Sequence, residues 1–273
     1  MEVPTLDILS DYHVQRVLGS GREGTVYLVE DKERLGELVL KVFHEPHTSD
    51  WLPGLPVYAD KVRANDLGLP EVNLLYYRDE IIGAVYPYVQ LSSLHWRILN
   101  SIEIVAQSIV GAYCDMQYYL MSEHGLALSE PGLPHFMVDK NGRWHYLDIG
   151  GGICLLNHSF VHKHGLIGYG FANMLMSIYN KNLYDLMKPV EDYSYDVPCI
   201  YCMHKSLDAI AMQHEWVKEI LSDVRNQKST VFYDPGFYQR ISESLPNRVP
   251  WPSLILPLSK SLTWLGKLRG MLD

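Results

Sequence analysis

The chain has 273 residues, 47% of them hydrophobic, and a formal net charge of −9. This is enough apolar material for a sizeable core in one folded unit, and an acidic balance without clustered Lys and Arg excludes nucleic acid as the main partner. No run of 18 apolar residues marks a membrane span, and the N-terminal MEVPTLDILSDYHV lacks the basic flank and apolar centre of a signal peptide, so a cytoplasmic protein is expected.

In VLGSGREGTVYLV, residues 17–29, the apolar Val17, Leu18, Val26, Tyr27, Leu28 and Val29 flank Gly19, Gly21 and Gly24, which reads as strand, turn, strand. Glycine lets backbone amides approach phosphate oxygens because no Cβ intervenes. Lys41 then stands alone in the apolar strand LVLKVF. A dinucleotide-binding loop would need a helix directly after the last glycine, and Thr25-Val26-Tyr27 is strand instead. An ordinary glycine-rich hairpin with a solvated lysine is the plain alternative.

Residues 56–66, PVYADKVRAND, form a helical candidate, with Asp60 on it. Residues 68–90 read as two apolar strands split by Arg78-Asp79 and ending in Tyr86-Pro87-Tyr88-Val89. Between 94 and 123, Ile98, Ile102, Val105, Ile109, Ala112, Met116 and Leu120 recur at helical spacing, a pattern of core packing. Two short strands, Phe136–Asp139 and Trp144–Leu147, are joined by Asn141-Gly142, a strong hairpin signal. The second runs into Asp148-Ile149-Gly150, and a helical pattern follows over about 168–181.

Farther on, Cys199-Ile200-Tyr201-Cys202 has no second CxxC, and zinc would need His162 or His164 nearby. Segment 254–273 places Leu258, Leu262, Leu265, Leu268 and Leu272 on one helical face, with Lys260, Lys267 and Arg269 elsewhere. It reads as a final packed helix, or as an amphipathic helix docking to a protein partner or lying peripherally at a membrane surface.

Residues 19–26 fit the G-x-G-x-x-G-x-V signature of protein kinases at every fixed position, with Lys41 at the place of that family's strand lysine and Asp148-Ile149-Gly150 at the place of D-F-G. The chain thus resembles the protein kinase-like superfamily over roughly residues 12–180. That resemblance implies an α+β, two-lobed fold, with a β-rich small lobe over 1–90, a hinge near 88–91 and a mainly helical large lobe over 91–273. It implies ATP as the nucleotide, held by Gly19, Ser20, Gly21, Gly24, Val26 and Lys41, with the adenine on the backbone of Pro87, Tyr88 and Val89. Asp148 would hold Mg²⁺ across the phosphates, and Asp60 would take the place of the helix carboxylate that pairs with the lysine.

The family's H-R-D-x-x-x-x-N loop survives here in spacing and not in letters. His135 stands where the metal-binding Asn is expected, and Glu130 where the catalytic aspartate is. Imidazole suits Mg²⁺ less well than an oxygen ligand, and glutamate is one methylene longer than aspartate. Histidine followed by Phe at this point is similar to the lipopolysaccharide-core sugar kinase type, and the Gly-Leu-Pro opening with Tyr86–Val89 resembles aminoglycoside and choline kinases. No A-P-E segment appears, which points from a peptide toward a small-molecule, glycan or lipid-linked hydroxyl acceptor. Three readings stay open: a phosphotransferase using Lys41, Asp148 and Glu130, a pseudokinase scaffold that binds nucleotide or a protein partner, and an adenylyl transferase.

Overall fold

The computed structural model describes residues 11–31, 36–47, 53–92, 103–129, 135–139, 141, 143–157, 166–178, 211, 217–218, 222 and 232–245. Glu130, the Cys199/Cys202 pair with His162 and His164, and the segment 254–273 lie outside the described residues.

Five strands form one antiparallel sheet in the order β1-β2-β3-β5-β4: β1 Tyr12–Ser20, β2 Gly24–Asp31, β3 Glu37–His47, β4 Asn73–Tyr77 and β5 Glu80–Pro87. The glycine-rich segment is the β1–β2 hairpin, with Ser20 opposite Thr25 and the Gly21 N–H donating to Gly24 O at 2.9 Å. A Cβ on Gly24 would run into the Val42 carbonyl of β3, so the missing side chain lets β2 lie close against β3. Cβ positions on Gly19 and Gly21 meet nothing within 4 Å. At the β4–β5 turn, Arg78 and Asp79 both take positive φ, 50° and 67°, as a two-residue hairpin of matching twist requires.

Side chains alternate along β3. Val39 and Phe43 join the main core, whereas Leu38, Leu40 and Val42 pack with Val29 and Val85 in a smaller cluster. Register therefore puts Lys41 on the face of Val39 and Phe43, and it is only 7% exposed. A buried ammonium is costly unless paired, which makes its partners the central question of the site.

Helix α1, Gly54–Lys61, begins two residues before the expected segment and ends well short of Asp66. Strand β5 leads into β6, Leu91–Ser92, which pairs with β8, Phe136–Asp139; β8 pairs in turn with β9, Trp144–Tyr146. Asp139 Oδ1 accepts the N–H groups of Asn141 at 2.8 Å and Arg143 at 2.9 Å, which ties the hairpin turn. Helix α2, Glu103–Tyr119, continues as a π-helical turn over Leu120–His124 and stops at Gly125, whose φ of 66° is the left-handed stop that glycine favours. There β7, Leu126–Leu128, pairs with β10, Ile153–Leu155. Gln117 of α2 receives the Leu128 N–H at 2.8 Å and donates back to the Leu128 carbonyl at 3.4 Å.

Helices α3, Leu166–Ile178, and α4, Pro235–Ser244, follow. Asp234 caps α4 by accepting the Gly236 N–H at 2.9 Å, with Pro235 in the first turn. Tyr113 of α2 stacks on Phe171 of α3 at 5.7 Å between centroids and meets Tyr238 of α4 edge-on at 5.9 Å, so one aromatic core joins three helices. The architecture is mixed α+β. Among the described residues no helix is long and apolar enough to cross a membrane.

Candidate active site

Lys41 Nζ donates to Glu23 Oε2 at 2.9 Å and to the Ile149 carbonyl at 3.0 Å, and lies 3.6 Å from Asp148 Oδ1. The β1–β2 turn supplies Glu23, β3 supplies Lys41, and the segment leaving the β8–β9 hairpin supplies Asp148. On its other side Asp148 Oδ2 lies 3.6 Å from His135 Nδ1. Lys41, Asp148 and His135, read from sequence as one site, are thus brought together.

Asp60 is not part of this cluster. It sits exposed near the end of α1, and the carboxylates beside Lys41 are Glu23 and Asp148. Glu23 is the residue that sequence reasoning missed. Its one visible signal is an acidic side chain between glycines in a loop expected to lie over a lysine. Burial works to raise its carboxyl, but the Lys41 charge and hydrogen bond, the Gly151 N–H and the nearby His47 outweigh that and hold it below the usual range.

Gly150, Gly151 and Gly152 wrap this cluster. A Cβ on Gly150 would lie 2.7 Å from Glu23 Oε2 and 2.9 Å from Lys41 Nζ, one on Gly151 2.6 Å from Glu23 Oε1, and one on Gly152 2.8 Å from Asp148 Oδ2. The Ser129 N–H donates to the Gly152 carbonyl at 2.9 Å, which ties the end of β7 to the same segment. Ser129 precedes Glu130 in sequence.

Beside the cluster is a cavity of about 510 Å³, within the range of small-molecule sites. Leu18, Gly19 and Val26 of the β1–β2 hairpin line it from one side, Tyr86, Pro87, Tyr88 and Val89 form its rim, and Met137 and Leu147 lie against it from the β8–β9 hairpin. Leu147 directly precedes Asp148, and Val39, also in the wall, shares its strand face with Lys41. Of the nucleotide residues read from sequence, Gly19, Val26, Pro87, Tyr88 and Val89 line this cavity. Ser20 bonds across the hairpin to Thr25 at 3.0 Å, and Thr25 meets His44 Nε2 at 3.2 Å. Gly21 closes the turn and Gly24 packs on β3, as described above.

Burial, with the Asp148 carboxylate adding to it, pushes the Tyr86 hydroxyl well above its ordinary value, so it stays neutral. Pro87 has no N–H, and the Tyr88 N–H donates to the Glu37 carbonyl at 3.1 Å. At the floor, His145 Nε2 lies 3.2 Å from Asp139 Oδ2. Among the described residues no group of three or more His, Cys, Asp and Glu converges as a metal site. Asp148 and His135, expected from the sequence to hold Mg²⁺, face each other at 3.6 Å.

No protein-family model matches the chain, and no curated protein matches it in sequence.

Proposed function

We propose that the chain is an ATP-dependent phosphotransferase of the two-lobed protein kinase-like type, acting on a hydroxyl of a small-molecule, glycan or lipid-linked acceptor. The observation that carries this reading is the convergence of a glycine-rich hairpin, a buried lysine and Asp148 beside one apolar cavity. An adenine ring would lie between Val26 and Leu147, both of which line the cavity. Its donor–acceptor edge needs a carbonyl and an N–H on the rim, and since Pro87 has none and Tyr88 has spent its own, Val89 is the residue to supply the N–H. The open space over Gly19 and Gly21 leaves room for phosphates against backbone amides.

In this role Lys41 neutralises phosphate charge, and Ile149 O with the surrounding core fixes where its ammonium points. Asp148 and His135 would hold Mg²⁺, which supplies charge neutralisation across the phosphates. Glu130 would orient the acceptor hydroxyl. Preorganised charges of this kind act where water is excluded and account for much of the catalysis in phosphoryl transfer.

A second reading, a nucleotide-binding protein without transfer, is favoured by the occupied state of Lys41, whose ammonium is already paired within the chain. Incubation with Mg²⁺ and ATP followed by product identification separates the readings. ADP supports phosphotransfer, AMP with pyrophosphate supports adenylyl transfer, and intact ATP at every acceptor tried leaves the non-catalytic reading.

A further inference from the structure

An ammonium has three N–H donors and no acceptor. Those of Lys41 face Glu23 Oε2 at 2.9 Å, Ile149 O at 3.0 Å and Asp148 Oδ1 at 3.6 Å. A phosphate oxygen that is to bond Nζ must therefore displace one of the two hydrogen-bonded groups or enter on the side of Asp148, whose 3.6 Å contact is an ion pair beyond hydrogen-bond reach. Ile149 O is backbone, and Asp148 stands between Lys41 and His135 with its side chain 16% exposed. Glu23 is the remaining candidate: its side chain is 40% exposed and belongs to the hairpin turn.

Its carboxylate rests in a seat made for an anion. The Lys41 ammonium is on one side and the Gly151 N–H on another. Side chains on Gly150 or Gly151 would fall within 2.7 Å of its oxygens, so the seat exists because two consecutive residues lack a Cβ. An ammonium, a backbone N–H and a glycine-lined wall are also what binds a phosphoryl group. The Glu23 backbone, meanwhile, is fixed, its carbonyl accepting the His44 N–H at 2.9 Å. Rotation of the side chain alone empties the seat, without opening of the hairpin.

From this geometry we infer that the Glu23 carboxylate is a built-in occupant of the phosphate subsite, an internal anion that nucleotide phosphates must displace from Lys41 and Gly151. The inference rests on the nucleotide reading above and adds regulation of that same site. With Glu23 in place, one ammonium faces two carboxylates, and an incoming polyphosphate meets net negative charge. With Glu23 turned outward, Lys41 and the Gly151 N–H are open to it.

The test is calorimetric titration of wild type, Glu23→Gln and Glu23→Ala with three probes: ATP with Mg²⁺, inorganic tripolyphosphate with Mg²⁺, and adenosine. Both variants are expected to bind ATP and tripolyphosphate about fivefold more tightly than wild type, equivalent to about 1 kcal/mol, with adenosine affinity unchanged because the base cavity does not include Glu23. Equal or weaker polyphosphate binding by both variants overturns the inference and makes Glu23 a residue that positions Lys41. Failure of all three proteins to bind either adenosine or ATP overturns the nucleotide reading itself, and this inference with it.

Discussion

Lys41 on β3 and Asp148 after β9 lie 3.6 Å apart, and the same lysine donates to the Ile149 carbonyl across 108 positions of sequence. The contact ties the five-stranded sheet to the segment leaving the β8–β9 hairpin, beside the cavity. The phosphotransfer proposed for this site depends on that pair.

Loss of either partner is therefore expected to remove function before it removes the fold. Lys41→Met and Asp148→Ala should each lower turnover by about 10²-fold or more, the size of losing one preorganised charge, while adenosine still enters the apolar cavity. Glu130→Ala should spare ATP binding and abolish transfer. Steady-state rates and adenosine titrations check both, and unchanged turnover in Glu130→Ala would remove Glu130 from the acceptor site.

The glycines of the hairpin should divide into two kinds. A Cβ at Gly24 meets the Val42 backbone, which cannot step aside, so Gly24→Ala is expected to destabilise by about 1–3 kcal/mol, the cost of overpacking. Gly19→Ala and Gly21→Ala meet open space and should leave unfolding within about 0.5 kcal/mol of wild type, yet weaken ATP binding. Denaturant melts beside ATP titrations give both readouts. Wild-type ATP affinity in the latter two variants would argue against phosphates beneath the hairpin.

Asp139 gives the fold a pH dependence. Burial raises its carboxyl, but the Arg143 N–H, the His145 side chain and the Asn141 N–H outweigh that and hold it below the ordinary range. A carboxyl depressed in the folded state adds stability that is fully present above its unfolded value, about 3.9, and is lost as pH falls through the folded one. Asp139→Ala should therefore melt earlier than wild type at pH 6–7, by about 2 kcal/mol for the hydrogen bonds lost. That gap should shrink below about pH 4. A gap independent of pH would mean that the ionised carboxylate is not the group holding the turn.

Two of the four cysteines should be chemically silent in the native protein. Cys114 and Cys154 are buried; burial, with Asp115 adding to it, pushes the Cys114 thiol far up, and burial pushes the Cys154 thiol up to about 12 against an opposing bond from Ser129. Thiolate is the reactive form. In a Cys199→Ser, Cys202→Ser variant, an aromatic disulfide reagent at pH 8 should label nothing until denaturant is added, and then label both. Rapid labelling of the native variant would contradict the burial of these thiols.

The parts of the site legible in the sequence are those written in local pattern. The glycine spacing at 19, 21 and 24, one lysine in an apolar strand, and an Asn-Gly turn before Asp148 each signal themselves within about ten residues, and the structure places them beside one another. The partner of Lys41 was not legible in this way. Glu23 reaches it by strand pairing and by the bend of Gly150–Gly152, which no local periodicity records, and the sequence favours Asp60 only because the resembled family carries an acid on the helix about twenty residues after its strand lysine. Strand β7 was hidden for a related reason. At three residues it is too short for an alternation, and only its pairing with Ile153–Leu155 makes it a strand, although Gly125 marks the helix stop before it. Helix α4 goes unread in the sequence, and its place is set by the aromatic contacts of Tyr238 with Tyr113 and Phe171.

The central claim is that the cavity between the β1–β2 and β8–β9 hairpins takes a nucleotide whose phosphates lie on Lys41 and Asp148. It is tested most directly by calorimetric titration of the protein with ATP, with and without Mg²⁺, repeated on Lys41→Met. The expected result is saturable binding to wild type that tightens with Mg²⁺ and weakens at least about tenfold in the variant. Affinity that ignores both Mg²⁺ and Lys41, or no binding at all, would contradict it.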